Sequence, residues 1–175
     1  MTEAPLPVRL ATIADVPALH VLVERGYRGS DGAPGWTHEG HLFDGPRTDG
    51  AALAAMIGDA GQHILVHDGD DAPLACVLIA ANATGIAYLG LLCVDPRAQA
   101  GGIGRRMIAM AEVEAVARWG AHTMEMTVID ARNDLIAWYA RRGYRPSGEI
   151  RPLPAAIGGA LAPLALVVLT KALHA

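Results

Sequence analysis

Apolar positions in this chain follow two rhythms, one helical and one alternating, and each predicts a run of elements. Val8-Arg9-Leu10-Ala11 predicts a first strand. Thr12 followed by Asp15 has the spacing of a capping box at a helix start. Val16, Leu19, Leu22 and Val23 then fall on one helical face that runs to Tyr27. From Arg28 to Asp49 both rhythms vanish and Gly and polar residues crowd in. A long irregular segment of this kind inside a compact fold is more often functional than idle. Ala51 to Ile57 predicts a short helix, and Ile64 to His67 with Leu74 to Ala80 predict two antiparallel strands joined through Asp68-Gly69-Asp70-Asp71.

The densest information lies between Ala87 and Gly120. Ala87 to Val94 is an apolar run suited to a buried strand, and Asp95-Pro96 stops it because proline gives no amide to a ladder. After the turn Arg97 to Gly102, the apolar residues Met107, Met110, Ala111, Val113, Val116 and Ala117 recur at helical spacing from Ile103, while Arg106, Glu112, Glu114 and Arg118 can face water. Thr123 to Ile129 alternates Met124, Met126 and Val128 with Thr123, Glu125 and Thr127, which predicts a strand. The long helix before it makes a right-handed crossover, so Leu89 to Val94 is its expected parallel neighbour. A helix carrying Tyr139 follows, Gly143-Tyr144 turns out of it, and Leu164 to Thr170 is expected to close the sheet after an apolar loop that begins at Leu153. No repeat or linker interrupts the chain, so the expectation is one α/β domain over residues 1–175 with helices on both faces of a mixed sheet.

Composition narrows the functional classes. With 175 residues, 52% hydrophobic and 18% charged, the chain is long and apolar enough to bury a sizeable core. A formal net charge of -4 argues against nucleic acid as the main partner, although Arg97, Arg105, Arg106, Arg132, Arg141, Arg142 and Arg145 gather in the second half. Cys76 and Cys93 lie inside apolar runs and fit reduced core thiols of a cytoplasmic protein. The first residues form no leader, and the uncharged stretch from Leu153 to Thr170 is broken by Pro154, Gly158, Gly159 and Pro163, so no membrane partner is expected.

The candidate chemistry sits at the glycine-dense turn. A strand, a turn rich in amides and a helix N-terminus in that order build an anion site carrying roughly half a positive charge from the helix dipole, and Arg105 and Arg106 add full charges beside it. A triphosphate loop needs a Lys-Ser/Thr pair where Arg105-Arg106 stands, and the dinucleotide pattern G-x-G-x-x-G fails at Met107. Such a turn can also be purely structural. Gln99-Ala100-Gly101-Gly102-Ile103-Gly104, however, resembles the Q/R-x-x-G-x-G/A signature of the GNAT superfamily of acyl-CoA-dependent N-acyltransferases. Asn133 to Tyr144 resembles that family's second hallmark, a helix with a tyrosine that closes on Gly-Phe/Tyr. Tyr27-Arg28-Gly29, Gly35-Trp36-Thr37-His38-Glu39 and Asp44-Gly45-Pro46-Arg47-Thr48 look like a microbial subgroup of undefined substrate, which extends the resemblance over nearly the whole chain.

The resemblance implies a GNAT fold: a mixed, mostly antiparallel sheet whose central parallel strand pair splays apart around a bulge. It implies acetyl-CoA as co-substrate, with the pantetheine arm along the backbone of Leu92, Cys93 and Val94. The pyrophosphate would lie on the amides of Gln99, Ala100, Gly101, Gly102, Ile103, Gly104 and Arg105, and Asn133 would touch the pantetheine, although its interval to the tyrosine is one residue shorter than usual in the family. No metal is implied, and the histidines of His38-Glu39-Gly40-His41 are too close for a zinc-protease helix. The expected reaction is acetyl transfer to a primary amine of a small molecule or peptide by direct attack in a ternary complex. Tyr139 matches the general acid: a phenol with a reference pKa of about 10 stays protonated and can donate to a leaving thiolate near 8.5. The Val94 amide can meet the oxyanion. Glu125, beside the splay, is the candidate base, with Glu39, Asp44, His38 and His41 as rivals and ordered water as a further route. The loop from Arg28 to Thr48 is expected to cap the acceptor pocket, where Trp36 is either a wall or plain core and Arg47 can pair with an acceptor carboxylate. Transfer of a longer acyl group, and a non-catalytic acyl-CoA-binding sensor or partner module, are the alternatives. The apolar loop at 153–163 is a candidate homodimer surface or packs on its own domain.

Overall fold

Three consecutive apolar runs pair as a meander, and the rest of the sheet grows from their last strand. The computed structural model describes residues 6–29, 36–155, 157 and 159–174. Its elements are β1 (Arg9–Leu10), α1 (Val16–Arg28), α2 (Gly50–Gly58), β2 (Gln62–Asp68), β3 (Pro73–Ala83), β4 (Ile86–Val94), α3 (Ile103–Trp119), β5 (Thr123–Ile129), α4 (Asn133–Ala140), β6 (Arg145–Pro152) and β7 (Ala165–Ala172). They form a seven-stranded sheet in the order β1-β2-β3-β4-β5-β7-β6, with β4 and β5 parallel and the other neighbours antiparallel. Ahead of α1, the Asp15 carboxylate accepts from the Thr12 amide at 2.7 Å, as the capping spacing predicts.

Helices cover both faces. Leu19, Leu22, Val23 and Tyr27 of α1 and Leu53 of α2 pack on Ile64, Val66, Cys76, Leu78, Leu91 and Cys93. Met107, Ile108, Ala111 and Ala115 of α3, with Leu135 and Tyr139 of α4, pack on the opposite residues, including Val77, Leu89, Leu92, Met124 and Met126. Burial of such side chains at about 1.5–3 kcal/mol each is the main force holding the layers together. Two details of α3 differ from the sequence pattern. Val113 is exposed at 59% while Ile108 is buried, because the turn of the helix rather than apolarity decides the face. Glu112 is held from the solvent by Lys171 Nζ at 2.7 Å and the Tyr144 hydroxyl at 2.8 Å.

The central strand pair separates as the resemblance implies. Parallel pairing joins Ile86, Ala87 and Tyr88 to Thr123, Met124 and Glu125 and goes no further, so the expected pairing of Leu89 to Val94 is corrected: that half of β4 has left its neighbour. Leu91 takes a positive φ of 48°, which a side chain rarely adopts. Across it Leu78 faces Gly90 while Cys76 faces Cys93, so β4 carries one extra residue there. The bulge switches the strand's faces and bends it. Ala87, Leu89, Leu92 and Val94 therefore reach one core, and Leu91 and Cys93 reach the other.

The far edge also departs from expectation. Residues 145–152 form β6, a strand not foreseen because Pro146, Ser147, Gly148 and Glu149 lack an apolar face. It pairs with β7, which is inserted between β5 and β6 rather than closing the sheet. The apolar loop before β7 packs on its own chain: Leu153, Ile157 and Leu164 meet Phe43, Ile129 and Leu166, and the Asp44 amide donates to the Gly159 carbonyl at 2.8 Å. Among the described residues no helix is long and apolar enough to cross a membrane. Cys76 and Cys93 are both free and buried.

Candidate active site

The separation of β4 from β5 opens a cavity of about 150 Å³. Tyr88 to Leu92 form one wall, Met126 to Ile129 the other, and Leu135 and Tyr139 come from α4. Thr37, Glu39 and Arg47 of the long loop line it as well, with Pro154 and Ile157 beside them. Where the two strands part, the hydroxyl of Tyr88, the last β4 residue paired with β5, meets Thr127 Oγ1 at 2.9 Å.

Tyr139 stands in this cavity with its ring packed edge-on against Trp138 and Tyr144. Among the described residues its hydroxyl makes no hydrogen bond, and burial holds its pKa well above that of a free phenol. The group is thus a protonated donor free to serve whatever enters. Glu39 is also buried, with 7% of its surface exposed. Its amide donates to the Tyr27 carbonyl at 2.8 Å, which fixes its place on the loop. Burial raises its carboxyl above the ordinary value, against the pull of Arg47 and Arg28. Its ion pair to Arg28 Nη1 is long at 3.4 Å. Arg47 lies over the Tyr27 ring at 4.9 Å, and the Tyr27 hydroxyl donates to the Leu92 carbonyl at 2.9 Å.

Other sequence candidates lie elsewhere. Glu125 is clamped by Arg151 Nη1 at 2.7 Å and receives Asn82 Nδ2 at 3.2 Å. It is the last residue of β5 paired with β4 and lies outside the cavity lining. Among its rivals Glu39 reaches the cavity, while Asp44, His38 and His41 do not. Trp36 also lies off the cavity, stacked on Trp138 at a centroid distance of 4.4 Å. Asn133 is exposed at the first position of α4. Among the described residues no group of His, Cys, Asp and Glu side chains is disposed to hold a metal ion.

The glycine turn is a 3-10 segment, Pro96–Gly101, that enters α3 through Gly102 at a φ of 71°. Gly102 offers no side chain to cap the 17-residue helix α3, and a helix N-terminus favours an anion. Gln99 bridges two segments, since its Nε2 donates to the Val94 carbonyl at 3.1 Å and its Oε1 accepts from the Trp36 amide at 3.1 Å. Arg132, 5% exposed, extends this bridge, donating to the Trp36 and His38 carbonyls while pairing with Asp134. Gln99 and Arg132 therefore tie the loop around Trp36 and His38 to the glycine turn and to α4. Nothing in the local sequence around Arg132 announces that role, because its partners lie some ninety positions earlier.

Comparisons with known proteins agree with this arrangement. The E. coli ribosomal-protein-S18-alanine N-acetyltransferase superposes with a TM-score of 0.70 at 17% identity, over 97% of this chain and 94% of that one. The ribosomal-protein-alanine N-acetyltransferase of Brucella melitensis gives 0.70 at 20% identity, over 96% and 100%. Salmonella typhimurium yncA, solved with its cofactor acetyl-CoA, gives 0.69 at 16% identity, over 98% and 96%. At these identities the likeness is one of fold. No curated protein sequence matches the chain significantly. The profile of the acetyltransferase (GNAT) family matches residues 34–144, from the long irregular loop through the splayed strands and glycine turn to Tyr144. With that match over more than half its length, and with the bulged, splayed strand pair that the signature implies, the chain belongs to the GNAT acetyltransferase family.

Proposed function

We propose that this chain is one cytoplasmic domain that transfers an acetyl group from acetyl-CoA to a primary amine of a small molecule or peptide, by direct attack in a ternary complex. The observation that carries this reading is the Tyr139 hydroxyl in the cavity between β4 and β5, which makes no hydrogen bond among the described residues. The thioester arm would run along Leu92, Cys93 and Val94, where β4 has no partner on the β5 side, and the diphosphate would rest on the amides from Gln99 to Arg105. The amine's lone pair attacks the carbonyl carbon, the C–S bond breaks, and Tyr139 protonates the departing sulfur. Alignment of the two reactants supplies several kcal/mol of the rate enhancement. Glu39 is the better placed base, since Glu125 is held by Arg151 outside the cavity. The neighbour solved with acetyl-CoA supports the cofactor, and the ribosomal-protein-alanine acetyltransferases keep peptide amines within the acceptor class.

The test is a calorimetric titration with acetyl-CoA, using desulfo-CoA and ATP as controls, followed by thiol release across a panel of amines and peptides. Tight acetyl-CoA binding with amine-dependent release is the expected result. Binding without release from any acceptor would replace the transferase with a sensor module, and no binding would overturn the cofactor assignment.

A further inference from the structure

The acceptor end of the cavity carries two opposite charges that form no direct ion pair with each other among the described residues. Arg47 and Glu39 both line it, yet the ion pair of Glu39 is with Arg28. Among the described residues Arg47 has no carboxylate partner; its guanidinium lies on the Tyr27 ring. The other nearby carboxylate, Glu24, is engaged by backbone, accepting from the Arg47 and Thr48 amides at 2.7 and 2.8 Å. That grip holds the Arg47 backbone in place and leaves its side chain unpaired. Arg132, the third cation near Glu39, is paired with Asp134. A further donor is also left over: among the described residues Arg28 Nη2 is buried without a hydrogen-bond partner, on a side chain only 9% exposed. Guanidinium groups held in partly dry surroundings favour an anionic partner, and a carboxylate matches their forked geometry.

We propose that the acceptor is an amine that carries its own carboxylate, an α-amino acid or a close analogue, bound with the carboxylate on Arg47 and the amino group between Glu39 and the thioester. This rests on the transferase reading above and names its substrate class. The acceptor enters as a zwitterion. Glu39 takes one ammonium proton, the freed lone pair attacks the acetyl carbonyl, the C–S bond breaks, and the thiolate takes the Tyr139 proton. The proton lost by nitrogen on forming the amide returns the phenol to its acid form, and Glu39 releases its own to water. Burial suits Glu39 to this role, since it raises the carboxyl's affinity for a proton.

Matched acceptors test this: methionine against 3-(methylthio)propylamine, and phenylalanine against phenethylamine, with the two amino-acid amides as neutral controls, all followed by thiol release from acetyl-CoA. The expected result is a kcat/KM at least about tenfold higher for each amino acid than for its decarboxylated amine or its amide, a bidentate charge-assisted contact accounting for that margin. In Arg47→Met this ratio should fall toward one, chiefly through the KM of the amino acid, and Arg47→Lys should restore part of it. Equal or better use of the decarboxylated amines by the unaltered protein overturns this inference and leaves the transferase standing. Bound acetyl-CoA with no release from any acceptor overturns both. An unchanged ratio in a folded Arg47→Met, checked by circular dichroism, removes Arg47 from the site.

Discussion

Trp36 occupies the space that a side chain on Gly104 would need, its Cζ2 lying 2.9 Å from the position of a Cβ there. The same ring stacks on Trp138, over which the Arg142 guanidinium lies at 3.3 Å. The loop around Trp36 is thereby packed against the first turn of α3 and against α4. Gly104→Ala should force the ring away and destabilise the fold by about 1–3 kcal/mol, the usual cost of overpacking. Adding Trp36→Ala should remove most of that penalty. A double-mutant cycle by urea denaturation measures the coupling, and additive effects would mean that the two residues do not interact.

Tyr139→Phe separates catalysis from structure. The hydroxyl makes no hydrogen bond among the described residues, and the ring's packing is kept, so stability and acetyl-CoA affinity should stay unchanged. Turnover should fall about 10²-fold if the phenol is the acid. Steady-state kinetics beside a calorimetric titration give the answer, and undiminished kcat would remove Tyr139 from the chemistry.

Asp95, 2% exposed, anchors the end of β4 ahead of the glycine turn. Its carboxylate binds Arg97 and, at 2.9 Å, Arg25, and these hydrogen bonds hold its pKa well below the usual carboxylate range. A depressed folded pKa means stability that is fully present above the unfolded value of about 3.9 and is lost as pH falls through the folded one. Asp95→Asn should therefore cost about 1–3 kcal/mol at neutral pH. Its deficit should shrink steadily below about pH 4. Chemical denaturation across that range would show the narrowing gap, and a deficit independent of pH would mean that the charge is not what stabilises.

Cys76 and Cys93 face each other across β3 and β4, both fully buried. Burial pushes the Cys76 thiol up to about 12 and raises Cys93 as well, so neither supplies thiolate at neutral pH. Native protein should give no colour with a disulfide reagent, and both thiols should react on unfolding. Rapid reaction of the native protein would show that the β4 layer opens.

Glu112, Tyr144 and Lys171 join α3 to the turn after α4 and to β7. Glu112→Gln weakens both bonds and leaves a half-buried ammonium and a buried phenol poorly served. A loss of about 1–3 kcal/mol in the urea transition is expected, with acetyl-CoA affinity unmoved because Glu112, Tyr144 and Lys171 do not line the cavity.

The elements that position the chemistry were legible because their signals are local. An apolar run, a proline stop, glycines at a turn and a helical rhythm define β4, the turn and α3 with no distant partner. The place of Tyr139, four residues before Gly143 on the same short segment, was legible for that reason. Tertiary structure decided what depends on residues far apart. Alternation put Glu125 on a strand beside the splay, but an arginine on a strand with no apolar face claims it. Glu39 reached the cavity because Tyr27 and Arg28 hold an irregular loop across the splay. β7 lies inside β6 because strand order is set by which edges bury together, and a period of two along the chain states which side faces the core, never which strand lies next to it.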